Sequence, residues 1–157
     1  MKKDKVLFVI PAYNEEENIE DVVMEWHNVV KKINKESRLV VIDDGSRDNT
    51  YNKLLGLKEK YNQLDVITKE NGGHGATVLY GYNYAIESGA DYIFQTDSDG
   101  QTISDEFWQF WNVRRKYNAI IGSRKGRQDG ISRIFVTKVL KVNSVSMFGL
   151  MNFCCSV

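Results

Sequence analysis

Five short apolar runs, each followed by a polar loop, constrain this chain more than any other feature. Val6–Ile10 stops at Pro11. Leu39–Ile42 ends on Asp43-Asp44-Gly45. Val66–Thr68 precedes Asn71–Gly75, Tyr92–Gln95 precedes Thr96-Asp97-Ser98-Asp99-Gly100, and Ala119–Gly122 closes the series. Apolar runs this short, bounded by turn formers, read as buried strands. The segments between them carry helical spacing. Asn14 to Ile33 places Ile19, Val22, Val23, Trp26, Val29, Val30 and Ile33 at intervals of three and four, with Glu15, Glu16 and Glu17 in the first turn, where the helix dipole favours them. Ser46 and Asp48 read as caps of a second helix reaching about Tyr61. Ala76–Ser88, ended by Gly89, and Asp105–Lys116 supply two more. Strand and helix in alternation, with strands too apolar to be half exposed, predict an α/β fold: a parallel sheet with helices on both faces.

At 157 residues the chain suits one domain and buries roughly two-thirds of its extended surface. Its 21 basic and 21 acidic side chains cancel, which gives no support to a nucleic-acid binder. The balance hides an asymmetry. Residues 1–113 hold 12 basic and 20 acidic side chains, and residues 114–157 hold 9 and 1. Such a cluster reads as a site for an anionic partner or as a solvated basic face. The adjacent Cys154 and Cys155 make neither a disulfide framework nor a zinc site unaided, and read as inert. No apolar run approaches the roughly 18 residues of a membrane span, and the start of the chain is too short for a signal peptide. The expected location is the cytoplasm, or the cytoplasmic face of a membrane. The stretch from Ile131 to Val157 is apolar with sparse lysines, and reads as a core helix or a helix at a membrane interface. Its apolar end suggests that the chain is a fragment or relies on a partner or membrane.

The polar loops after the strands fall on one edge of the predicted sheet, where open α/β sheets bind ligands. Asp97 and Asp99 stand two residues apart at a strand end, so in an extended segment both carboxylates point one way. With Gln101 they make an oxygen donor set suited to a hard cation, Mg²⁺ or Mn²⁺; the bland alternative is a surface turn. Asp43-Asp44, at a strand end, can accept hydrogen bonds from a base N–H and a ribose hydroxyl; the bland alternative is that the segment only caps the next helix through Ser46 or Asp48, and both can hold. The glycine loop Asn71–Gly75 matches neither a Walker loop nor a dinucleotide fingerprint. His27 reads as structural, and His74, within that loop, as a possible phosphate contact.

Taken in order, these motifs resemble the nucleotide-sugar-binding half of the family-2 glycosyltransferases. The matching residues are Val9-Ile10-Pro11-Ala12-Tyr13-Asn14-Glu15, Val41-Ile42-Asp43-Asp44-Gly45-Ser46 with Asp48 and Thr50, Glu70-Asn71 with Gly73 and Gly75, then Gly81, Ala85 and Gly89, Asp97-Ser98-Asp99-Gly100-Gln101, and Gly122-Ser123-Arg124. The branch they most resemble is that of the dolichyl- and polyprenyl-phosphate sugar transferases. The resemblance implies a GT-A fold with a Rossmann-like, mostly parallel sheet, and one nucleotide-sugar-binding domain over residues 1–157, incomplete at its C-terminal, acceptor side. It implies that Pro11, Tyr13, Glu15, Asp43, Asp44 and Asp97 bind the nucleotide, and that Asp97, Asp99 and Gln101 hold Mg²⁺ or Mn²⁺. Asp97, Asp99 and Arg124 would be catalytic, and Arg127 and Arg133 would meet the acceptor phosphate. The implied donor is GDP-mannose or a UDP-hexose, the acceptor a lipid phosphate at a membrane surface, and the stereochemical course inversion; a homo-oligomer is a further expectation.

Charge supports a phosphate acceptor. A sugar hydroxyl must lose a proton as it attacks, whereas a phosphate monoester, with a second pKa of about 6, is already largely ionised. It needs cations, not a strong base, and Arg124, Lys125, Arg127 and Arg133 supply them. Two alternatives stay open: transfer to a sugar hydroxyl in polysaccharide or glycan synthesis, and a truncated module that binds donor without turnover.

Overall fold

The computed structural model describes residues 4–122 and the backbone of residues 153–155. In chain order these form β1 (Val6–Ala12), α1 (Ile19–Ile33), β2 (Arg38–Asp43), α2 (Thr50–Lys60), β3 (Leu64–Thr68), α3 (His74–Glu87), β4 (Tyr92–Gln95), a one-turn 3-10 helix (Ser104–Glu106), α4 (Phe107–Val113), β5 (Ala119–Ile121) and β6 (Phe153–Cys155). The strands build one sheet in the order β3-β2-β1-β4-β6-β5. Every pairing is parallel.

β1 lies in the middle of the sheet and is buried along its whole length. Its side chains alternate between two cores. Phe8, Ile10 and Ala12 face one side with Leu39, Val41 and Phe94, covered by α1, α2 and α4 through Val22, Val23, Trp26, Leu54, Leu57 and Phe107. Leu7 and Val9 face the other side with Val40, Ile42 and Ile93, covered by α3 through Ala85 and Tyr82. Each fully buried aliphatic or aromatic side chain contributes about 1.5–3 kcal/mol. The first core is the more aromatic: Phe8 lies 5.8 Å from Trp26, 5.2 Å from Phe94 and 4.9 Å from Phe107, centroid to centroid. On the second face α3 approaches closely at Gly81, where a Cβ would stand 2.3 Å from Val9 Cγ1 and 2.7 Å from Ile42 Cδ1.

Four local expectations are revised. β1 does not stop at Pro11 but runs through it to Ala12. Val9 O accepts from Thr96 N on the β4 side, so Pro11, two residues on, turns its nitrogen to that same side beyond the end of β4, where no ladder bond is lost. Glu15–Glu17 precede α1 rather than forming its first turn, which carries Glu20 and Asp21 instead. The reason is tertiary: the backbone N–H groups of Asn14, Glu15 and Glu16 donate to Ser46 Oγ, Thr50 Oγ1 and Asp48 Oδ2. Ser46 therefore secures the β1 loop and does not cap α2, whereas Asp48 Oδ1 accepts from the Thr50 N–H. α4 is shorter than expected, because beyond Val113 the bonds tighten to three-residue steps, Arg114 N to Trp111 O and Lys116 N to Val113 O.

The sixth strand was not legible. Phe153–Cys155 inserts between β4 and β5, with Phe153 in register with Ile93 and Ala119. The helix expected around residues 134–142 lies outside the described residues.

Candidate functional site

The strand order reverses at β1: β2 and β3 extend to one side, β4 to the other. Loops leaving β1 and β4 must diverge there, opening a crevice at the C-terminal ends of the strands. A cleft of about 460 Å³ occupies this place. It is lined by Pro11, Ala12, Tyr13 and Glu15 after β1, Asp44 after β2, Asn71, Gly73, His74 and Thr77 around the start of α3, and Asp97, Ser98 and Asp99 after β4.

The first two loops hold each other. Asn14 takes a left-handed backbone, φ 55°, which asparagine tolerates better than most residues. Its N–H donates to Ser46 Oγ at 2.9 Å, and its Oδ1 accepts from Arg47 N at 2.8 Å. Glu16 Oε2 accepts from Asn49 N at 2.8 Å. This mutual capping fixes Tyr13, 40% exposed, at the mouth of the cleft.

The two adjacent carboxylates behave differently. Asp43 is buried behind the cleft wall and absent from its lining; Oδ1 accepts from Ser46 N at 3.2 Å and Oδ2 from the Thr68 hydroxyl at 2.8 Å. Asp44 faces the cleft yet is only 3% exposed. Its Oδ1 accepts from Lys69 Nζ and from Gly72 N at 3.0 Å, and its Oδ2 from Gly73 N at 2.9 Å. Burial pushes this carboxyl up, but the Lys69 ammonium, the Gly72 N–H and the Thr77 hydroxyl outweigh it and hold Asp44 below the usual carboxylate range.

Asp97 and Asp99 line the same cleft, as their spacing predicts. Asp97 Oδ1 accepts from Gln95 Nε2 at 3.2 Å and lies 3.8 Å from His74 Nε2. Asp99 Oδ1 accepts from Gln101 N at 3.0 Å, a bond that turns the chain at Gly100, φ 70°. No group of three or more His, Cys, Asp or Glu side chains able to cage a metal occurs among the described residues. Two part-exposed carboxylates fit the way Mg²⁺ binds, through one or two carboxylates with substrate phosphates completing the shell.

Pro11, Tyr13, Glu15, Asp44, Asp97 and Asp99 thus share one cleft. Asp43 stands behind it, and Gln101 is exposed outside its lining. Arg124, Arg127 and Arg133 lie outside the described residues. Ser98 and Thr77 line the cleft without having been singled out, and Lys69 was missed altogether. An isolated lysine in a polar loop carries no pattern, and its importance comes from a buried carboxylate 25 positions earlier.

A parallel sheet in this order, with a carboxylate-lined cleft at its switch point, is the arrangement of the GT-A fold. Solved structures agree on the fold. The glucosyl-3-phosphoglycerate synthase of M. tuberculosis superposes with a TM-score of 0.59 at 17% identity, over 98% of this chain and 71% of that one. TarS 1-349 of S. aureus in complex with UDP-GlcNAc superposes with a TM-score of 0.56 at 25% identity, over 82% of this chain and 37% of that one. The chain belongs to glycosyl transferase family 2, whose model matches residues 7–153. A relative is the undecaprenyl-phosphate 4-deoxy-4-formamido-L-arabinose transferase of Proteus mirabilis (strain HI4320), 28% identical over 142 residues, which are 88% of this chain. The match spans 43% of that relative's length.

Proposed function

We propose that this glycosyltransferase moves a hexose from a nucleotide-diphosphate donor, GDP-mannose or a UDP-hexose, to a polyprenyl phosphate with inversion at the anomeric carbon. The observation that carries the reading is the convergence of Tyr13, Glu15, Asp44, Asp97 and Asp99 on one cleft at the switch point. Support for the donor comes from TarS, solved with UDP-GlcNAc. Support for the acceptor comes from the name of the Proteus relative, an undecaprenyl-phosphate transferase.

Pro11, Tyr13 and Glu15 border the nucleoside, with Asp44 at the cleft wall, while Asp43, buried behind it with both oxygens bonded to Ser46 and Thr68, supports that wall instead of taking the base itself. Asp97 and Asp99, with Gln101, would hold Mg²⁺ or Mn²⁺. Such an ion would neutralise charge on the diphosphate leaving group. An acceptor phosphate oxygen forms the new bond to the anomeric carbon as the bond from that carbon to the donor diphosphate breaks. The phosphate arrives already ionised, so no general base is required. Arg124, Arg127 and Arg133 are the cations assigned to its charge.

The test is a donor panel of GDP-mannose, UDP-glucose and UDP-GlcNAc with Mn²⁺, and short polyprenyl phosphates and saccharides as separate acceptors. Release of nucleoside diphosphate that requires the polyprenyl phosphate supports the reading. Release that requires the saccharide instead transfers the protein to the hydroxyl-acceptor class. Donor binding without release under either condition identifies a binding module.

A further inference from the structure

Asp44 and Lys69 form a part-buried ion pair that places a loop. The Asp44 side chain is 4% exposed and that of Lys69 19%. Lys69 Nζ also donates to Glu70 O at 2.8 Å, so the side chain folds back beneath its own loop. A Cβ on Gly72 would lie 3.2 Å from that ammonium. The rest of the Asp44 residue grips the same loop. Its carboxylate takes the Gly72 and Gly73 N–H groups, and its backbone carbonyl takes Asn71 Nδ2 at 2.9 Å. Gly45 allows the close approach, since a Cβ there would meet Asn71 N at 3.0 Å and Lys69 O at 3.1 Å. The gripped segment forms one wall of the cleft: Asn71, Gly73, His74 and Thr77 all line it. His74 ends the connection, with Nε2 3.8 Å from Asp97 Oδ1 on the loop after β4.

We propose that Lys69 is a positioning residue for donor binding: by neutralising buried Asp44 it latches the Gly72-Gly73 loop, and with it His74, against the Asp97 side of the cleft. This rests on the reading of the cleft as the donor site. Without the ammonium, a buried carboxylate would keep only neutral donors, the Gly72 and Gly73 N–H groups and the Thr77 hydroxyl, and no opposite charge to compensate its own. The loop would open to hydrate it, and the wall formed by Asn71, Gly73, His74 and Thr77 would move.

The test uses the full 157-residue chain, with UDP and GDP as probes in calorimetry with Mn²⁺ and amide hydrogen exchange read at Gly72 and Gly73. Lys69→Met is expected to lose exchange protection at both glycines and to bind the nucleotide that the unmodified protein prefers about tenfold more weakly or worse. Lys69→Arg keeps the cation and is expected to recover most of both. Gly81→Ala, which strains the middle of α3 against Val9 and Ile42 away from the Asp44–Lys69 pair, serves as the control: it lowers the unfolding midpoint but leaves the exchange protection of Gly72 and Gly73 intact. If Lys69→Met does not fold, Asp44→Asn with Lys69→Met removes both charges and is expected to fold while still binding weakly. Unchanged affinity in Lys69→Met, or no recovery in Lys69→Arg, overturns the latch alone. If the unmodified protein binds neither UDP nor GDP, the donor reading falls, and this proposal falls with it.

Discussion

Individual residues carry the most direct tests. Asp99 lines the cleft, with Oδ1 engaged by the Gln101 N–H. If it helps hold a cation, Mn²⁺ should strengthen binding of a nucleoside diphosphate. Asp99→Ala should remove that enhancement while leaving the unfolding midpoint unchanged, as calorimetry with and without Mn²⁺ will show. Equal enhancement in both proteins would exclude the role. Asp43 accepts two buried hydrogen bonds that tie β2 to the loop after it and to β3. Asp43→Asn should therefore destabilise the fold by about 1–3 kcal/mol, read as a lower urea midpoint, and weaken donor binding only through the wall it supports. His27 supplies a pH test away from the cleft. Its ring lies tilted against Tyr61, centroids 4.5 Å apart, and its Nε2 has no hydrogen-bond partner among the described residues. Burial, reinforced by the Lys31 charge, holds its imidazole below the usual range. Above about pH 6.5 the side chain is neutral in both folded and unfolded chains, so no destabilisation arises. As pH falls below that value the unfolded chain takes up a proton first, and stability drops until the depressed folded value is passed. His27→Leu should flatten the loss of urea midpoint between pH 7 and pH 5. The depressed carboxyls of Asp4, Asp44 and Asp48 act in a separate, more acidic window.

Among the elements, α3 is the most exacting. It covers the second face of the sheet, and its fit depends on Gly81 lying against Val9 and Ile42. Both neighbours sit on central strands and are fully buried, so neither has room to yield. Gly81→Ala should destabilise the fold by about 1–3 kcal/mol, as overpacking does, read as a lower urea midpoint. α1 is held differently. Its apolar stripe of Ile19, Val22, Val23, Trp26, Val29 and Val30 is buried as its spacing predicts, but its start is set by side chains from the loop after β2 and the first residue of α2.

Across the whole molecule, charge is divided along the chain. The nine basic residues and single acid of residues 114–141 are followed by an apolar stretch. A lipid phosphate presents an anionic head beside an apolar chain, which this combination complements. Each basic residue near an anionic membrane surface contributes about 1 kcal/mol, screened by salt. Co-sedimentation with anionic liposomes should occur at low salt and fade as salt rises, and replacing Lys138 and Lys141 by Glu should weaken it without altering donor affinity. Binding indifferent to both salt and the substitutions would leave the basic segment as a solvated face. No helix among the described residues is long and apolar enough to cross a membrane.

Hydrophobic period and turn chemistry act over a few residues, and what depends on them was readable in the chain. The strands β1 to β5, the helical stripe of α1, helices on both faces, and the gathering of strand-end loops on one edge all follow from alternation of short apolar runs with three-and-four spacing. The shared cleft of Asp97 and Asp99 follows from their two-residue separation at a strand end. Contacts between distant segments left no such trace. Pro11 remained in a strand because β4 ends before reaching it. Glu15–Glu17 stayed out of α1 because Ser46, Asp48 and Thr50 took their backbone donors or those beside them. Asp44 was turned toward Lys69 and the glycine loop while Asp43, beside it, was turned away. Phe153–Cys155 became an inner strand more than thirty positions from the end of β5. Three apolar residues carry too little periodicity to announce a strand, and a hydrogen bond across 25 or 30 positions depends on how the sheet has already brought its loops together.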